Sequence, residues 1–382
     1  MKHLKSIFSL ILFCLILSAC KSSNKTIVED DMINTWVEED DNMPKNIILM
    51  IGDGMGLTQI SAGMYRLGNQ TNLEKFPVVG LQKTHAGDEL ITDSAASATA
   101  IATGQKTYNG AIGVDMDTLP LYTFLEEAED NELATGLVAT STIVHATPAS
   151  FISHNPYRRN YEEIAADFLK TEVDLFIGGG KKYFDNREDE QNLLEQFGDD
   201  YQISHFVEAE LEDIIIDPDK NFGYLTSNKD PLPVSQGRDY LLTAAKKSVD
   251  HLAKRSDKGF FLMIEGSQID WGGHANDMEY IISEFIEFNT VIGEIFEFAK
   301  EDGETLVVVT ADHETGGFAI QTESTMDTLV GSFTTGKHSG TMVPLFAYGP
   351  GSEHFAGIYE NTEIYHKMRQ AIGWSENKDN EK

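Results

Sequence analysis

Seven runs of strand length, rich in apolar residues, lie at 46–51, 78–84, 135–140, 173–177, 260–264, 306–310 and 343–348, with helical patterns between them. A chain that alternates in this way buries each strand between helices. The rhythm therefore predicts an α/β fold with a mostly parallel central sheet sandwiched by helices. The stretch 278–300, MEYIISEFIEFNTVIGEIFEFAK, repeats apolar residues at three- and four-residue intervals and is the longest expected helix. At 382 residues and 41% hydrophobic content, the chain is long enough to bury a large core.

Three segments depart from this rhythm. The N-terminus has two lysines, an apolar run over 7–17 and then Leu17-Ser18-Ala19-Cys20. This predicts an export signal, too short for a comfortable membrane span. Small residues before Cys20 are similar to a bacterial lipobox, so residues 1–20 are expected to be a lipoprotein signal. Cys20 then becomes a lipidated first residue that anchors the chain to a bacterial membrane, facing the periplasm or the cell surface. The other cysteine, Cys14, lies in the part that processing removes, so no internal disulfide is expected in the mature chain. Residues 21–43 read as an acidic tether and 375–382 as a polar tail, flanking a folded domain at 44–374. Within it, 183–236 holds 14 acidic against three basic residues and many turn formers, and reads as an acidic insertion. It lacks the spacing of a calcium loop and is expected to be a solvated face.

Net charge is −33, from 62 acidic and 29 basic residues, which argues against nucleic acid or anionic lipid headgroups as partners. Such a surface also repels phosphorylated molecules. Any phosphate site therefore needs local positive charge from metal ions or arginine.

Residues 92–104, TDSAASATAIATG, are small almost throughout. One reading is packing, since small residues let a helix lie close to a sheet. The other is chemical: Ser94 opens the helix with its hydroxyl beside exposed amides, where an anion is favoured. The stretch alone leaves both open.

Metal-type ligands gather at strand ends, where open α/β sheets place their sites. Asp53 follows the first run; Glu265, Asp270 and His274 lie in EGSQIDWGGH; Asp312 and His313 lie in TADHETGG. Asp312 and His313 are adjacent and can reach one ion. Asp270 and His274 share a face if the segment is helical, although Gly272 and Gly273 make a turn equally suitable. His338 sits in GKHSG, where glycines can bring an imidazole inward. VHATPAS supplies His145 and Thr147, and NPYRRNY supplies Arg158 and Arg159. An arginine can grip two phosphate oxygens, and either of this pair can equally be a surface cation. Mixed His and Asp ligands suit zinc, whereas Asp, Glu and Thr oxygens suit magnesium.

IGDGMG, TDSAASATAIATGQKTYNGAIGVD, HATPAS, EGSQIDWGGH and TADHETGG, in this order, resemble the alkaline phosphatase family over about 45–374. That resemblance implies a metal-dependent phosphomonoesterase acting on phosphate monoesters through a phosphoserine. It makes Ser94 the nucleophile and Arg158 the phosphate clamp, leaving Ser97 and Thr99 as packing. Two zinc ions are implied, one on Asp270, His274 and His338, the other on Asp53, Asp312 and His313. A magnesium ion is implied on Thr147, Glu265 and the second oxygen of Asp53. A homodimer is implied as well.

Two positions depart from the better-known members. His145 stands where enteric bacterial members carry aspartate and vertebrate members histidine, and is expected to touch the third metal through water. Trp271 stands where those members have lysine or histidine; without a charge, it is expected to weaken phosphate binding and speed product release. The span between His313 and His338 is shorter than in vertebrate members, which reduces a region of their dimer contact. The alternatives are a superfamily phosphodiesterase and a non-catalytic surface lipoprotein that binds phosphate or metal. Against them, Thr147 and Glu265 complete a magnesium half-site, and every matched position holds a competent residue.

Overall fold

Strand β1 (Asn46–Gly52) is buried along its whole length. Its side chains alternate between two cores: Ile47, Leu49 and Ile51 join one, Ile48 and Met50 the other. A strand covered on both faces needs no polar alternation, which is why it reads as a continuous apolar run. The structure is a computed structural model that describes residues 43–374. The expected signal with Cys20, all but the last residue of the tether and the C-terminal tail lie outside the described residues. Among the described residues, no helix is long and apolar enough to cross a membrane.

The strands that follow are β2 (Val78–Lys83), β3 (Ala134–Thr142), β4 (Leu175–Gly179), β5 (Tyr201–His205), β6 (Asn221–Leu225), β7 (Phe260–Gly266) and β8 (Thr305–Thr310). Four short ones come next: β9 (Glu314–Thr315), β10 (Phe318–Ile320), β11 (Gly331–Phe333) and β12 (His338–Ser339). The last two are β13 (Val343–Tyr348) and β14 (Gly357–Glu360). Ten of them form one sheet in the order β14-β2-β13-β8-β1-β7-β3-β4-β6-β5. β13 runs antiparallel to β2 and β8, and the other pairings in this sheet are parallel. The sheet is thus mostly parallel and covered by helices, as the alternating runs predict.

Helices Leu241–Arg255 and Met278–Asp302 pack into the core on one face. Helices Ser94–Thr103, Phe124–Asp130 and Glu363–Ala371 pack into the other. Phe261 of β7 meets Phe124 at 4.9 Å and Phe151 at 5.8 Å between ring centroids. Each such fully buried side chain contributes about 1.5–3 kcal/mol by leaving water, most of it offset by chain entropy.

All seven runs became strands, with shifted ends: the run at 173–177 starts β4 only at Leu175. β5, β6 and β14 were not among the expected strands. The acidic segment 183–236 supplies β5 and β6, which extend the sheet beyond β4. β6, NFGYL, carries two residues of low strand propensity, and the structure shows why one is there. A Cβ on Gly223 would sit 2.3 Å from Phe176 Cζ, so only glycine fits beneath that ring.

Candidate active site

The carboxyl ends of β8, β1, β7 and β3 lie side by side in the sheet. Chain segments leaving these four strands carry most of the expected site residues. Asp53 follows β1, Glu265 lies within β7, Asp312 and His313 follow β8, and Thr147 lies just past β3 in helix Ala146–Ile152. Gly54 lets the first of these turns come close. Its φ is +70°, and a Cβ there would lie 2.7 Å from the Asp270 Cα, so a side chain would push Asp53 away from Asp270.

Ser94 is the first residue of helix Ser94–Thr103, all of whose residues are buried. Asp93 caps this helix by accepting from the Ala96 amide at 2.9 Å, and Gly104, at φ 72°, ends it. Ser97 and Thr99 do more than pack. Ser97 Oγ donates to the Asp312 carbonyl at 2.7 Å, and Thr99 Oγ1 accepts from the Gly113 amide at 3.0 Å. These bonds fasten the helix to the β8 turn and to the loop that follows the helix. Ser94 Oγ instead faces His313 Nε2 at 3.2 Å.

Asp93 has a second task that sequence reasoning missed. Its Oδ2 accepts from Arg158 NH1 at 2.9 Å, while its Oδ1 accepts from the Gly110 amide at 3.1 Å. Burial works against the Arg158 charge, but Asp93 outweighs it and keeps the guanidinium firmly protonated. One edge of Arg158 is therefore fixed beside Ser94. Among the described residues, Arg159 makes no such pair.

Three groups of ligand atoms are close enough to hold an ion, the atoms of each lying within 4.8 Å of one another. They are Asp270 with His274 and His338; Asp53 with Asp270 and His313; and Asp53 with His145 and Glu265. Asp312 Oδ2 adds to the second group, 3.2 Å from His313 Nε2. The segment holding Asp270 and His274 is a short helix, Gln268–His274, which puts both on one face. Among the described residues, both oxygens of Asp53, Glu265 Oε1, Asp312 Oδ2 and Thr147 Oγ1 are buried without a hydrogen bond. A folded protein rarely leaves so many polar atoms unsatisfied in one place unless something else binds them.

Histidine geometry points the same way. His338 Nδ1 lies 2.8 Å from the Thr92 carbonyl, and His274 Nδ1 lies 2.9 Å from the Gly336 carbonyl. Carbonyls accept only, so both Nδ1 atoms carry a proton and the Nε2 atoms are left to face a ligand. Those two Nε2 atoms face one another at 3.1 Å. Two ring nitrogens that close need a proton or a metal cation between them, and hydrogen bonding to Asp270 pushes the His274 ring up to about 9, so the place favours positive charge. The donor set thus fits divalent metal ions: nitrogen and carboxylate in the first two groups, mainly oxygen in the third.

Burial pushes the Asp53 carboxyl well above its ordinary range, the Glu265 carboxyl to about 7 and the Asp312 carboxyl to about 6. Asp270 goes the other way: burial raises it, but the His274, His313 and His338 rings together hold it below the usual carboxylate range. Burial also lowers His145 to about 3, which keeps it neutral and able to donate a lone pair. Its ring meets that of Trp271 edge-on at 6.2 Å.

Two residues inside TADHETGG hold the ligands in place and were not singled out from sequence. Thr315 Oγ1 donates to Asp270 Oδ1 at 2.5 Å and lies 3.2 Å from His313 Nδ1. Glu314 accepts from Gln59 Nε2 at 2.7 Å, from the Phe318 and Gly317 amides at 3.1 and 3.2 Å, and from Ser339 Oγ. One buried carboxylate thereby ties the helix after Asp53, the turn after His313 and the neighbour of His338. Glu314→Gln puts an amide donor where amides and a hydroxyl donate. It is expected to weaken metal binding by the Asp270–His274–His338 group roughly tenfold, as supports of metal ligands commonly do. Zinc retained against a competing chelator measures this; unchanged retention would leave Glu314 a packing role only.

Comparison with known proteins agrees with this geometry. The family model described as alkaline phosphatase matches residues 44–332 and 328–374. Alkaline phosphatase 3 of Bacillus subtilis is 34% identical, over 87% of this chain and 89% of its own length. The alkaline phosphatase structure from the Antarctic bacterium TAB5 is 44% identical with a TM-score of 0.83, covering 87% of this chain and 99% of that one. A cold-active alkaline phosphatase from a Shewanella species is 32% identical with a TM-score of 0.77, covering 86% and 99%. With a family match across nearly all the described residues and metal-ligand groups converging beside Ser94, the chain belongs to the alkaline phosphatase family of phosphoric monoester hydrolases.

Proposed function

We propose that this chain hydrolyses phosphate monoesters to an alcohol and inorganic phosphate in two displacements, through a phosphoserine at Ser94. The observation that carries this reading is the convergence of Ser94 Oγ, the Asp93-held Arg158 and three ligand groups at one end of the sheet. In the first displacement Ser94 Oγ gives up its proton and forms a bond to phosphorus as the bond to the leaving-group oxygen breaks, and that oxygen departs as the alcohol with one proton gained. In the second, water attacks phosphorus and Ser94 Oγ leaves with a proton restored. Arg158 grips phosphoryl oxygens throughout, and the amino end of helix Ser94–Thr103 adds partial positive charge. When bound, the metal ions supply the charge that lowers the serine hydroxyl pKa and offsets the phosphoryl oxygens.

The proposed set is two zinc ions and one magnesium ion. Asp270, His274 and His338 would hold one zinc, and Asp53, Asp312 and His313 the other. Thr147, Glu265 and the second oxygen of Asp53 would hold magnesium. A histidine-to-glutamate variant of the TAB5 enzyme has magnesium bound in its M3 site, which supports a third position of this kind. His145 faces that position here, and its neutral imidazole lowers the preference for magnesium over softer ions. Export with lipid attachment at Cys20, followed by a tether to residue 43, belongs to the same proposal, motivated by the lipobox-like LSAC. So does a homodimer.

The test is turnover by purified, metal-loaded protein of p-nitrophenyl phosphate against bis-p-nitrophenyl phosphate, alongside metal analysis. The monoester is expected to be hydrolysed far faster. A preference for the diester would replace this reading with the phosphodiesterase one, and phosphate binding without alcohol release would favour a non-catalytic binder.

A further inference from the structure

A cavity of about 310 Å³, at the lower end of the range for small-molecule sites, opens against Asp93, the residue before Ser94. Its lining includes Asp93 and Arg158, so on the reading above it is where the alcohol part of a bound monoester sits. The rest of the wall includes Asn109, Tyr157, Arg159 and Tyr161.

These groups differ in how far their polar atoms are already used. Asn109 is spent: its Oδ1 accepts from the Asp93 amide at 2.7 Å and its Nδ2 donates to the Ile91 carbonyl at 3.0 Å. Arg158 is paired with Asp93. Arg159, by contrast, has no ion pair or hydrogen bond among the described residues, and neither do the Tyr157 and Tyr161 hydroxyls. Tyr161 is held by its ring, which packs on Tyr183 at 4.9 Å. Asp230 acts on Tyr161 electrostatically, as Arg159 does, yet forms no ion pair with Arg159. In a chain with 62 acidic residues to 29 basic ones, Arg159 thus places an uncompensated positive charge at the cavity wall.

We propose that this cavity is a subsite for a second anionic group, so that the favoured substrates are phosphate monoesters whose alcohol part carries a further phosphate. Arg159 is the cation that reads it. A neutral alcohol accepts only ordinary hydrogen bonds from a free guanidinium, whereas a second phosphate accepts stronger charge-assisted ones, in a bidentate fork. The Tyr157 and Tyr161 hydroxyls add donors to the same wall. Long-range repulsion by the acidic surface makes such a local contact more discriminating, because dianionic leaving groups are otherwise disfavoured.

The inference rests on the Ser94 and Arg158 reading, and the experiment separates the two. With metal-loaded full chain, kcat/KM is measured for glucose 1,6-bisphosphate and for glucose 6-phosphate, in the native enzyme and in Arg159→Gln and Arg159→Lys. Because Arg159 is solvent-exposed, screening limits its effect, and Arg159→Gln is expected to lower the bisphosphate-to-monophosphate ratio roughly fivefold. The change should fall on KM for the bisphosphate, and Arg159→Lys should keep most of the ratio. An unchanged ratio in Arg159→Gln, or equal losses on both substrates, would overturn the subsite. Failure of the native enzyme to hydrolyse either ester would instead overturn the proposed reaction.

Discussion

Ser94→Ala is expected to lower turnover of p-nitrophenyl phosphate by roughly 1,000-fold or more, as removal of an activated nucleophile does in other hydrolases. Zinc content should stay as in the native protein. The contrast with neighbouring hydroxyls is what singles out Ser94. Ser97 and Thr99 donate to backbone carbonyls outside the helix and Thr103 to one within it, whereas Ser94 Oγ, among the described residues, faces His313 Nε2. Helix initiation rests on the Asp93 side chain, so alanine at position 94 removes one oxygen and leaves the cap intact. Full activity in the variant would sink the assignment. Loss of metal together with activity would point to a collapsed site rather than a missing nucleophile.

Chelation is the second large effect: turnover should vanish, and zinc plus magnesium should restore it. The stripped protein should also become less stable as pH rises. Asp312 goes from an ordinary 3.8 to about 6, and Glu265 from 4.5 to about 7, both chiefly through burial. Between the ordinary and raised values the folded chain binds more protons than the unfolded one, so stability falls as pH rises through that window. Asp53 is raised too and adds to the same slope. Asp270, held low by its histidines, contributes in the opposite sense, with stability lost only at acid pH. Thermal melts of stripped protein should therefore fall between about pH 4 and 7 by far more than those of metal-loaded protein, because bound cations replace the protons. Melts and turnover indifferent to chelator would refute the metal site as drawn.

Much of the fold was readable because a buried parallel strand must be apolar on both faces, and β1, β7 and β8 are. β5 and β6 escaped notice for the converse reason. They belong to an acidic segment, β5 is only half-buried, and Gly223 sits in β6 for the sake of the Phe176 ring. The residues that gather into candidate metal-holding groups were readable because Asp, Glu and His at strand ends have few other reasons to cluster. Their supports were less so: Asp93, Glu314 and Thr315 were in plain view inside the motifs. Nothing in a one-dimensional string says that Asp93 reaches Arg158, or that Glu314 accepts from Gln59 on one side and Ser339 on the other.

The same division holds at Ser94. Sequence by itself determined seven strands of the sheet, the helix start and the candidate ligand types, since periodicity, capping and donor chemistry are local or repeat at fixed spacing. Which hydroxyl faces His313 and which arginine pairs with Asp93 is visible only in the tertiary structure. Both depend on which partners a group meets across more than 60 residues of chain, from Asp93 to Arg158, and more than 200, from Ser94 to His313. Hydrogen bonds act over about 3 Å and ion pairs over about 4 Å, and only folding brings such distant positions within that reach.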